Sequence, residues 1–184
     1  KDAWGGYTHE VHKKNYLNMM NAGVVYQVTG ENKYAQYVKD MLLRYADMYP
    51  TLGLHPELQS SYRGKLFWQG LNECVWPVHT SKAYDCVYDF LSESERNKIE
   101  KNLFYPMCDF IARDNMKTFN RIHNHGTWAV AAVGMIGYVM GDKDLTDKAL
   151  YGYNKDRDGG FLSQIELLFS PDGYFTEGPY YQRY

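Results

Sequence analysis

The 184-residue chain has only three cysteines, and no two of them form a CxxC pair. Cys74, Cys86 and Cys108 are an odd number at irregular spacing, which argues against a disulfide framework and a zinc ribbon. They are expected as buried apolar side chains. Charge of one sign is also scarce. The formal net charge is −2 and no Lys/Arg run offers a phosphate track, so nucleic acid is excluded as a partner. No apolar stretch is long enough to span a bilayer, and the most apolar run, Trp128 to Met140, reads as a buried core helix. No convincing run of alternating residues marks a strand. A secretory leader is missing too. The chain opens abruptly at Lys1 and stops at Tyr184 inside an aromatic cluster, as an excised piece would, which leaves the compartment open.

Tyrosine is plentiful. There are 18, and with 8 Phe and 4 Trp the aromatics reach 16%. A tyrosine offers an apolar body and a polar tip. Such a set builds either a tyrosine-rich helical core or a groove that stacks sugar rings; burial is the commoner role for any one ring. The balance of 45% hydrophobic and 23% charged residues is that of a folded chain, either one domain or a piece of one.

The periodicity is helical almost throughout. Leu17, Met20, Val24 and Val28 recur at three- and four-residue steps and predict one buried face; Tyr34, Val38, Met41, Tyr45 and Met48 predict the next. Gly30 separates the two as a helix stop. Ser92 and Glu95 have the spacing of a capping box, with Ile99 and Leu103 on the buried face that follows. Pro77 and Pro106 are expected to start or kink helices. An internal echo, "VVYQVTGENKYAQYVKDML" against "MIGYVMGDKDLTDKALYGY", repeats an apolar helix, a Gly-acidic turn and a second helix. Antiparallel helix pairs of this kind build bundles, solenoids or toroids, so the fold class is all-α. After Leu150, "YNKDRDGG" reads as a loop, "FLSQIELLF" as a short helix, and "SPDGYFTEGPYYQRY" as an ordered loop rich in turn signals.

Several motifs could carry chemistry. "HEVH", His9 to His12, has i, i+3 spacing where a zincin helix needs HExxH, and no third ligand follows; an amphipathic helix start is expected. "HNH", His123 to His125, is contiguous, unlike the dispersed residues of the nucleases sharing those letters. Asn124 and His125 at the head of an apolar helix have two readings. They cap the helix, or they hold a carboxyl group and move a proton near the positive end of the helix dipole. The terminal "GPYYQRY" adds Tyr181 and Tyr184 around Arg183. A tyrosine hydroxyl beside positive charge can act as acid and base, and arginine forks a carboxylate. "QSSYRGKLFWQGLNECVW" brings Arg63, Lys65, Gln69 and Asn72 before and along a helix; this suits a polyanionic sugar, or a solvated loop ahead of a core helix.

"NHGTW" followed by "DGYFTEGPYYQRY" resembles the heparinase II/III-like polysaccharide lyases, and most closely the alginate and oligoalginate lyases of polysaccharide lyase family 17. The resemblance runs from "WGGYTHEVH" to the final tyrosines. It implies one helical domain over residues 1–184, the first part of an incomplete (α/α) toroid. The later toroid helices and a β-sheet domain of the parent protein, with further active-site residues, lie outside this chain. It also implies roles. Asn124 and His125 neutralise a uronate carboxylate. Tyr181 is the catalytic acid and base, with Tyr180 and Tyr184 as alternatives, and Arg183 contacts the carboxylate. Gln69, Arg63, Lys65 and Asn72 line the sugar cleft. The implied reaction is β-elimination on a 4-linked uronic acid polymer, an anionic partner, without metal or organic cofactor, in a bacterial periplasm or outside the cell. A hydrolase would use paired carboxylates, and Glu73, Glu166, Asp172 and Glu177 show no obvious partner in sequence. Two rivals stand beside the alginate reading: a heparan sulfate or hyaluronan lyase of the same superfamily, and a helical carbohydrate-binding module without catalysis.

Overall fold

Gly30 and Gly141 stop the helices before them in the same way. Both have positive φ, 68° and 66°, a region open to glycine at no steric cost, and an acidic residue follows each. In the computed structural model, which describes residues 2–58 and 62–178, these turns join α1 (Asp2–Thr29) to α2 (Asn32–Met48) and α7 (Asn124–Met140) to α8 (Lys143–Tyr151). Such short turns make each pair an antiparallel hairpin, as the internal echo predicts. Asp142 also caps α8, its carboxylate accepting the Leu145 amide at 3.0 Å. The described residues are all-α, and extended pairing among them is limited to an isolated bridge between Phe169 and Phe175.

The chain gathers into two compact units, Lys1–Met107 and Cys108–Tyr184. In the first, α3 (Gly70–Val87) lies along α1 and also meets α2. The buried face of α1 differs from the periodicity reading. Gly5, Tyr16, Met19 and Gly23 are buried, whereas Val24 and Val28 are exposed. Close approach is the cause, since Gly23 meets Ala83 and Cys86 at a distance that leaves little room for a side chain. On α2 the expected Val38 and Tyr45 are buried, with Ala35, Leu42 and Ala46 replacing Tyr34, Met41 and Met48. The core of this unit is aromatic. Tyr45 lies 4.7 Å from Trp76, and its hydroxyl meets His12 Nδ1 at 2.8 Å and Asn15 Nδ2 at 3.0 Å.

Pro77 neither starts nor ends a helix; it lies inside α3. Pro106 sits in α5 (Tyr105–Cys108), between π-helical turns at Glu100–Phe104 and Asp109–Asp114. A widened turn on either side accommodates the missing N–H. α4 (Glu93–Ile99) begins with the predicted capping box, and Ile99 and Leu103 are fully buried. In the second unit, α6 (Met116–Phe119) leads to α7, whose small apolar face is buried. A loop over residues 152–159 then leads to α9 (Gly160–Leu168). Cys74 and Cys108 are buried and Cys86 partly so. Burial pushes the Cys74 thiol up to about 12, which keeps it an inert apolar group.

Candidate active site

The head of α7 answers whether Asn124 is a cap. The cap is His123, in an extended conformation, its Nδ1 accepting the His125 amide at 3.3 Å. Asn124 is the first helical residue, 5% exposed, and it holds a carboxylate. Its backbone N–H donates to one oxygen of Glu177 and its Nδ2 to the other, each at 2.6 Å. These are charge-assisted hydrogen bonds of the stronger kind, placed at the positive end of the α7 dipole. His123 Nε2 lies 3.6 Å from the same carboxylate, and the His123 and His125 rings meet edge to face at 5.2 Å.

Burial holds the His125 imidazole below its usual pKa; His123 and Arg121 push in the same direction and Glu177 opposes them. His125 is therefore neutral at neutral pH, able to accept a proton or donate one. The backbone leading into the helix is fixed by Gln164 of α9, which is 2% exposed. Its Oε1 accepts the His123 amide and the Thr127 hydroxyl, both at 3.3 Å, and its Nε2 donates to the Arg121 carbonyl at 2.7 Å. Gly126 completes the fit, because a Cβ there would overlap the Arg121 carbonyl oxygen.

The first unit carries the second set of expected residues on one segment. Gln69 is the N-cap residue of α3, and its Oε1 accepts from Asn72 Nδ2 at 3.0 Å, so these two are brought together. Arg63 Nη1 donates weakly to the His55 carbonyl at 3.4 Å, and Lys65 Nζ lies 5.0 Å from the centre of the Tyr49 ring. Glu73 braces this segment. Fully buried, it accepts the amides of Lys65, Leu66 and Phe67 at 3.1, 3.0 and 3.3 Å and the Tyr49 hydroxyl at 3.1 Å. Burial pushes its carboxyl up to about 7 even though each of these donors pulls it down.

The expectations placed on Tyr181, Arg183 and Tyr184 lie outside the described residues. Sequence reasoning missed Glu177, Gln164 and Glu73 as site-building residues. Glu177 does have a partner, Asn124, and the sequence hint was its place in the same loop as the tyrosines. The motif histidines His9 and His12 lie within α1 and set their ring edges on Phe67, each at 5.5 Å, which is the amphipathic-helix role.

The described residues are all-α, and they set a helix head that holds a carboxylate beside a neutral imidazole. The alginate lyase family profile matches residues 8–175, and the chain belongs to that family. It is 55% identical over all 184 residues to an exo-oligoalginate lyase of Saccharophagus degradans, and 53% identical over the same span to an alginate lyase of Stenotrophomonas maltophilia. In each case the match covers 25% of that protein, so the chain spans about a quarter of the length of the curated relatives it matches.

Proposed function

We propose that the protein carrying this chain is a polysaccharide lyase that cleaves a 4-linked uronic acid polymer, alginate or oligoalginate, by β-elimination. The observation that carries this reading is the two-point grip of Asn124 on a carboxylate. Glu177 supplies that carboxylate here; in the Michaelis complex the uronate C6 carboxylate takes up the Asn124 amide. Holding and neutralising it lets charge from C5 spread onto the carboxyl group in the transition state, which is electrostatic preorganisation.

Tyr181, as the phenolate, takes the C5 proton and so becomes the phenol. The C5–H electron pair becomes the C4=C5 double bond, and the C4–O4 pair leaves with O4, which Tyr181 reprotonates. His125 serves as base where the C5 proton lies on the opposite face. Arg183 and Tyr184, with Gln69, Asn72, Arg63 and Lys65, bind the sugar chain. The chemistry closes with protein groups alone. In this reading the helix pairs form part of an incomplete (α/α) toroid completed by the rest of the protein, which works in the periplasm or outside a bacterial cell.

The test is ultraviolet absorbance of the unsaturated product while the full-length protein is incubated with alginate. Absorbance rises with wild type, and Tyr181→Phe lowers turnover about 100-fold or more while substrate binding persists. No rise on alginate but a rise on heparan sulfate or hyaluronan reassigns the substrate. No rise on any uronate polymer, with binding intact, makes the protein a carbohydrate-binding module.

A further inference from the structure

The second unit holds an open cavity of about 780 Å³ that Asn124 and His125 do not line. Its walls include Lys117, Asn120, Arg121, Asn154 and Asp158. Two cations share this lining with one carboxylate, and the two asparagines offer amides of the kind that hydrogen-bond sugar hydroxyls. The volume lies in the usual range of small-molecule sites.

The backbone presenting this wall is held from several sides. The Arg121 carbonyl accepts from buried Gln164, and Gly126 is cut away beneath it. Asn120 accepts the Tyr153 amide through its Oδ1 at 3.0 Å, and Gly159 makes room for the Asn120 backbone. Arg121 itself is exposed, and no protein carboxylate engages its guanidinium among the described residues. A backbone held in this way, carrying an exposed planar cation, is preorganised for a carboxylate. Arg121 lies three residues before Asn124, and its charge is felt at the His125 ring.

We infer that this cavity is a neighbouring sugar subsite, in which Arg121, assisted by Lys117, binds the carboxylate of a second uronate of the chain being cut. The inference rests on the lyase reading for the identity of the ligand. It gives the site at the head of α7 a reason to prefer longer substrate: one uronate carboxylate is neutralised at Asn124 and another is anchored beside it. Asp158 sets the limit, since it would oppose a more heavily charged sulfated sugar in the same place.

The experiment compares wild type with Arg121→Gln and Lys117→Gln in the full-length protein. Calorimetry with saturated oligouronates measures binding, and unsaturated-product absorbance measures turnover. Arg121→Gln is expected to weaken binding of a tetrasaccharide about 5- to 10-fold, and a disaccharide much less, with a smaller loss for Lys117→Gln. KM should rise in step while kcat is largely kept. Unchanged binding at every length overturns the subsite. So does an equal loss for disaccharide and tetrasaccharide, which would place Arg121 in the reacting subsite. If no uronate is cleaved but the length-dependent loss in binding appears, the lyase reading fails and the subsite stands.

Discussion

At the scale of single residues, the two carboxylates that organise the site regions behave differently. Glu177 is partly exposed and sits on an amide and an imidazole, as a replaceable ligand would. Glu73 is sealed among three backbone amides and a tyrosine hydroxyl, as a permanent brace would be. Burial raises its folded pKa from 4.5 to about 7. A carboxyl with a raised folded pKa binds its proton more tightly in the native state. Its contribution to stability is therefore fully present below about pH 4.5 and is lost as pH rises through about 7. Glu73→Gln removes that titration and mimics the protonated acid. The melting temperature of wild type relative to Glu73→Gln should fall between pH 4.5 and 7, and a difference independent of pH would show that the carboxyl titrates alike in the folded and unfolded states. Asn124 and His125 were legible as a polar pair at the head of an apolar run. Their carboxylate partner was not, because Glu177 is 53 residues away in sequence and only the fold brings it there.

Among the elements, what the sequence announced best was local. The Gly-acidic turns after α1 and α7 and the capping box of α4 each satisfy nearby backbone groups, so a few adjacent residues suffice to read them. The buried face of α1 depended on tertiary packing. Gly23, with the small Ala83 opposite, permits close contact between α1 and α3, Gly5 makes room for the Trp68 and Glu57 side chains, and a hydrophobicity pattern gives glycine no weight. Gly126 shows the same effect where function is at stake. Gly126→Ala forces its Cβ into the Arg121 carbonyl and toward Gln164 Nε2, so either the turn before α7 or α9 must shift. Overpacking of this kind costs about 1–3 kcal/mol. The variant should melt lower by a corresponding amount and lose uronate affinity with it. A variant with wild-type stability and affinity would mean that the residue 120–123 turn is softer than its hydrogen bonds imply.

For the molecule as a whole, several large apolar side chains stand exposed on its helices. Trp4, Tyr7 and Val11 are exposed at helical spacing on α1, with Val24 and Val28 further along. Phe161, Ile165 and Leu167 are exposed on α9, and Tyr138 is 66% exposed on α7. On α1 the exposed apolar side chains recur at three- and four-residue steps and form stripes of the kind that partner surfaces cover. The curated relatives have about three further chain lengths in which to supply one, given a match to 25% of each. The 184 residues expressed alone should therefore bind an environment-sensitive apolar dye and self-associate as concentration rises, whereas the full-length protein should do neither to the same degree. Dye fluorescence and sedimentation velocity measure both. A monomeric chain that leaves the dye dark would mean that these stripes tolerate water, and the exposed side chains of α1 and α9 would then have to be explained without a covering partner.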